Sequence, residues 1–212
     1  MSVYHACAEL AGESSRKVDL KTFDELYQIG TRTNNRSLLY QVFLNQLVCY
    51  SWMGDHAKAI ELSLKHKAQG QKRISEPFRI WLVGISSMNL ARQTQQDNYK
   101  KMGEDCVKKM LEYERISTCN YSSMSNLLQA ELHYVNGDHK SARAEYEKAV
   151  RSANTHKSVH YEARALELYG IFCMENEMEK KGLEKIQLAI DKYTEWGALN
   201  KVRSLKRQFL DK

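Results

Sequence analysis

Residues 125–150 read SNLLQAELHYVNGDHKSARAEYEKAV, two amphipathic segments separated by Asn136, Gly137 and Asp138. Gly137 supplies the left-handed backbone on which a helix can end, and Asp138 can cap the helix that follows. On the second segment Ala142, Tyr146 and Ala149 recur at four and three residues, which lines small, large and small side chains along one face. Ala130 on the first segment leaves room for that face to approach. The spacing predicts a helical hairpin turning at Gly137-Asp138.

The same grammar extends in both directions. Gly54-Asp55 repeats the turn, with a broad apolar segment at 38–53 before it and Ala57, Ala59, Ile60, Leu62 and Leu64 carrying a helix to about Gly70 after it. A helix over 74–91 holds Pro77 in its first turn, where a missing N–H costs nothing, and buries Phe78, Trp81, Leu82, Ile85 and Met88. Its partner carries Tyr99, Met102, Cys106, Val107, Met110, Leu111 and Tyr113, with 93–98 as the connection. Polar runs at 117–122 and 152–158 read as breaks. Beyond them Ala163, Leu166, Tyr169, Gly170 and Cys173 face Leu183, Ile186, Ala189, Ile190 and Tyr193. At the start, Val3, Ala6, Cys7 and Leu10 form a short periodic piece, and Leu20, Phe23, Leu26, Tyr27 and Ile29 a second.

The expected fold is therefore all-α, nine to eleven helices in antiparallel pairs. Residues 1–36 give N-terminal helices, 37–196 four repeats (37–72, 74–116, 123–155 and 159–195), and 197–212 a capping helix. The small, large, small order resembles the tetratricopeptide repeat, a helix-turn-helix unit that is stable only when stacked. Leu47, Gly84, Ala130 and Gly170 occupy successive close-approach positions, 37, 46 and 40 residues apart. That resemblance implies an α-solenoid coiled into a right-handed superhelix.

Composition agrees. One Pro and ten Gly among 212 residues leave few strand or loop breakers, and the length suffices for a substantial core. No run of eighteen apolar residues occurs, and 38–53 is interrupted by Gln41, Asn45, Gln46 and Ser51. Five scattered cysteines form no close pair, which argues against a disulfide framework or a zinc site. A soluble cytoplasmic protein, neither secreted nor membrane-spanning, is expected. The formal charge of +6 raises nucleic acid as a partner. The excess lies at 65–73 and at Lys201, Arg203, Lys206, Arg207 and Lys212, while 97–115 alternates in sign like a solvated helix face. A basic helix end also complements the helix dipole, so nucleic acid is not the expected partner.

YEKAV at 146–150, HYEARALELYG at 160–170 and Tyr193 followed by WGA at 196–198 and Lys201-Val202 resemble the helical-repeat region of very large multi-sensor kinases. In that family the repeats follow a regulatory ATPase module and precede a GAF sensor and a histidine kinase or cyclase. The likeness covers about 81–202. Glu177 stands where a turn Gly is usual, and Gly182 where a helix Ala is usual. The chain has no Gly-rich phosphate loop ending in Lys-Ser or Lys-Thr, and no kinase catalytic-loop signature. The resemblance thus implies a spacer and docking scaffold with no cofactor, not a catalyst, whose partners would be proteins such as the kinase or ATPase domains of the same system.

Isolated candidates have plain readings. His156 and His160 lie four apart and could meet on a helical face as metal ligands, yet no third ligand follows at the needed spacing. His133 reads as core-facing and His139 as a turn residue, and Cys119 has no nearby His to activate it. Recognition by stacked repeats falls on the concave face lined by the first helix of each unit. Those positions are Leu44, Asn45, Val48 and Trp52, then Leu127, Leu128, Glu131 and Tyr134, then Arg164, Leu168 and Ile171. They are the expected binding residues for a protein or peptide segment. The alternative is a structural spacer or oligomerisation element whose groove is filled by its own side chains.

Overall fold

A computed structural model describes residues 23–66 and 75–211. The expected helix around Val3 to Leu10, the start of the next at Leu20 and the stretch from 67 to Gly70 lie outside the described residues. Ten helices and no strand occur among those described: α1 (Phe23–Arg32), α2 (Arg36–Met53), α3 (His56–Lys65), α4 (Glu76–Thr94), α5 (Asp97–Ile116), α6 (Thr118–Val135), α7 (His139–Thr155), α8 (Val159–Glu175), α9 (Glu179–Trp196) and α10 (Leu199–Phe209). None is long and apolar enough to cross a membrane.

The turns follow from local chemistry. At the opening hairpin Gly137 takes φ 74°, its N–H bonds the Tyr134 carbonyl at 3.0 Å, and the Asp138 N–H bonds the His133 carbonyl at 2.9 Å. That pair of bonds satisfies carbonyls the helix cannot satisfy internally. Asp138 Oδ1 then accepts from the Ser141 N–H at 3.1 Å and starts α7. Gly54 (φ 87°) and Asp55, which accepts from Lys58 N–H, repeat the arrangement between α2 and α3. Glu177 (φ 60°) and Lys157 (φ 55°) hold the same left-handed position in the turns after α8 and α7, though neither is glycine.

Three expected breaks are shorter than the composition suggested, and the one at 93–98 is reduced to Gln95 and Gln96 between α4 and α5. Only Ser117 separates α5 from α6, so 118–122 is helical, and α7 runs to Thr155, taking in Ser152. Ser122 and Ser152 are hydrogen-bonded to each other through their hydroxyls across the α6–α7 pair, and Ala153 is wholly buried. Their hydroxyls are used within the pair, so the polar composition does not end the helices.

Neighbouring helices pack. Within pairs, α2 packs on α3, α4 on α5, α6 on α7 and α8 on α9. Successive first helices also meet, α2 with α4, α4 with α6 and α6 with α8. Ala142, Tyr146 and Ala149 are fully buried against α6. Gly170 and Gly182 let α8 and α9 approach most closely, since a Cβ on Gly182 would stand 3.0 Å from the Gly170 carbonyl oxygen. Finally α10 packs on α9 and returns to α2, bringing the last described helix against the second.

Candidate functional site

The buried polar contacts start from the end of α2. The last four carbonyls of a helix have no partner within it. At the end of α2 the Ser51 carbonyl accepts from Arg164 Nη2 of α8 at 3.0 Å, a cation placed at the negative end of the helix dipole. The same guanidinium donates to Glu167 Oε2 at 2.9 Å and lies 6.0 Å from the Trp52 ring. Glu167 also accepts from Tyr193 of α9 (2.6 Å) and pairs with Lys201 of α10 (2.7 Å). Three helices thus converge on one carboxylate, and α2 joins them through Arg164. Burial alone would raise the Glu167 carboxyl, but Arg164 and Lys201 outweigh it and bring its pKa down to about 2. His56, at the start of α3, sits beside this cluster and shares a 3.2 Å hydrogen bond with Ser86. Burial, then the charge of Arg164, push its pKa down to about 3.

A second buried carboxylate, Glu131 of α6, is satisfied by a separate set. Tyr146 of α7 donates to it at 2.5 Å, Asn89 of α4 donates at 3.4 Å, and Arg92 of α4 is ion-paired with it. Arg92 also lies 4.4 Å from the Tyr134 ring centroid, and Tyr134 donates to Glu175 of α8. In both centres a first-helix carboxylate accepts a hydrogen bond from a tyrosine hydroxyl on the second helix of its own pair. Charges of this kind are tolerated inside a protein only when so paired.

Trp52, beside Arg164, belongs to an aromatic cluster. Trp52 stands 5.3 Å from Trp81 and 6.0 Å from Trp196, and Trp81 stands 5.3 Å from Tyr161. The Trp52 and Trp81 indole N–H groups have no hydrogen-bond partner among the described residues, so ring packing is the contact these groups make.

These contacts decide where the eleven expected binding residues stand. Leu44, Asn45, Val48, Trp52, Leu127, Leu128, Glu131, Arg164 and Leu168 are buried, and only Tyr134 and Ile171 are half-exposed. An open apolar groove is therefore not what these side chains line. Because α8, α9 and α10 reach α2, the inward faces meet one another instead of solvent. Other readings are corrected too. His156 caps α7 while His160 lies within α8, so they share no helical face, and His160 stacks near Tyr161 and Trp196. His133 is half-exposed, 3.5 Å from Asp138, and does not face the core. Lys201, counted in the basic excess of the last helix, is buried. Among the described residues no group of His, Cys, Asp and Glu could hold a metal ion.

Periodicity placed Tyr193 on the packed face but did not single out Glu167, Lys201 or His56. The available signal was Arg164 and Glu167 among the apolar Ala163, Ala165, Leu166 and Leu168 of α8, where unpaired charge would be costly. No protein-family model matches the chain, and neither a curated protein nor a solved structure matches it.

Proposed function

We propose that this chain is a non-enzymatic helical-repeat module, a tetratricopeptide-like right-handed α-solenoid that acts as a spacer and docking scaffold in a cytoplasmic signalling-kinase system. The kinase assignment rests on the motifs at 146–150, 160–170 and 193–202. The observation that carries the spacer reading is the meeting of Trp52, Arg164 and Trp196 across helices that an open groove would keep apart. Of the two architectures the sequence allowed, the one with a self-filled interior fits this best. The Glu131 and Glu167 carboxylates are each saturated by donors, which supports a structural part for them. Partner domains would then meet the outer faces of the helices.

Hydrogen exchange on the whole chain, alone and with purified ATPase or kinase domains of a multi-sensor kinase, tests this. The expected result is protection on outer faces with the amides of α2, α6 and α8 unchanged. New protection centred on Leu44 to Trp52 would place the partner in the groove, and turnover of any nucleotide by the chain itself would overturn the non-enzymatic reading.

A further inference from the structure

We propose that α10 is a strap poised to open, docked through Val202 and Leu205 and held near balance by a surplus buried cation, Lys201. The inference concerns a conformational device and does not depend on the scaffold reading. The buried cluster contains two cations, Arg164 and Lys201, against one carboxylate, Glu167. With α10 lifted, Glu167 keeps Arg164 and the Tyr193 hydroxyl, so a balanced pair remains inside. Lys201 meanwhile regains water. The ion pair therefore does not fasten the strap in proportion to its short distance, because desolvating a second cation opposes the attraction. The direction of the Lys201 ammonium agrees: burial pulls its pKa below the usual range, with Glu167 opposing and Arg164 assisting.

The rest of the helix is lightly held. It spans eleven residues, too few to persist alone in water, so lifting means unfolding. Its buried face is Lys201, Val202 and Leu205, preceded by Ala198 and followed by the partly buried Phe209, while Arg203, Lys206 and Arg207 stay in solvent. Opening uncovers Glu167 and the faces of α9 and α2 that α10 covers. A strap of this kind changes what the inner surface offers without disturbing the pairs α6–α7 or α4–α5.

Hydrogen exchange by mass spectrometry on the full chain reads the opening directly. In the unmodified protein the α10 amides should exchange faster than those of α8 and α9. Lys201→Met, which keeps the apolar stem and removes the surplus charge, should slow α10 exchange about tenfold. Unchanged or faster exchange in Lys201→Met would mean that the ion pair fastens the helix, and would overturn the proposal. Leu205→Ala supplies the second test: α10 exchange should rise while α6 and α7 keep their protection. If α10 loosens only together with the whole chain, it is not a separately opening unit and the proposal fails.

Discussion

Replacing Glu167 with Gln should be among the costliest single changes in the chain, although it removes only a charge. The carboxylate lies between Arg164 Nη1 at 2.9 Å and Lys201 Nζ at 2.7 Å, with Tyr193 Oη at 2.6 Å, all buried. Two independent routes give the size. The pKa falls from 4.5 to about 2 on folding, and at roughly 1.4 kcal/mol per pKa unit this amounts to about 3 kcal/mol. Removing one partner of a buried pair costs roughly 3 to 5 kcal/mol. For a chain of this length, that lowers Tm by about 6 to 20 °C. The shorter Glu61–Lys65 pair, 2.6 Å apart but exposed, sets the contrast: Glu61→Gln should leave the melt unmoved. The pH dependence has a definite sign. A carboxyl depressed on folding contributes stability that is present above pH 4.5 and lost as pH falls toward 2. Thermal melts by circular dichroism from pH 7 to 2.5 should therefore show a shallower acid decline in Glu167→Gln than in the unmodified chain. A variant that melts within a degree of the parent at pH 7 would refute the reasoning, because it would mean that water already reaches the cluster.

His56 gives a second pH effect. Its folded pKa of about 3, below the usual 6.5, means that stability is full above pH 6.5 and falls as pH drops toward 3. The charged groups bearing on it are Arg164, Glu167, Lys201 and Arg92, and His56→Gln should flatten the decline between pH 6.5 and 4 in urea titrations. Glu177→Gly should raise stability by about 1 kcal/mol, since a left-handed φ of 60° strains any residue with a Cβ; an unchanged urea midpoint would show that the turn relaxes freely. Ala149→Leu should lower stability by about 1 to 3 kcal/mol through overpacking of the α6–α7 pair, and an unaltered melt would show that this face opens to solvent.

The hairpins were legible because their signals are local. Gly54-Asp55, Gly137-Asp138 and the Ala142, Tyr146, Ala149 spacing each act within a few residues, and each lies where its periodicity placed it. The starts and ends that failed, Thr118 and Thr155, sit in serine-rich runs whose hydroxyls find partners inside the pair. The inner face was legible only in part. Glu131 and Arg164 were among the expected lining residues, but the sequence left open whether that lining faces solvent or is filled by its own side chains. What fills it is contact between α2 and residues more than a hundred positions later, and helical periodicity carries no information at that range. The burial of Lys201 was hidden for the same reason, since a basic residue in a terminal helix looks the same whether it faces water or a distant carboxylate.

That the inner face is filled by the chain's own side chains is most directly tested by tryptophan fluorescence. The chain has three tryptophans, of which Trp52 and Trp81 are each 1 % exposed and Trp196 is half-buried. In Trp196→Phe only the two buried indoles report. Their emission should be blue-shifted and nearly insensitive to iodide. Red-shifted emission quenched by iodide as strongly as in the urea-unfolded chain would mean that the groove stands open in solution, and would contradict the self-filled interior.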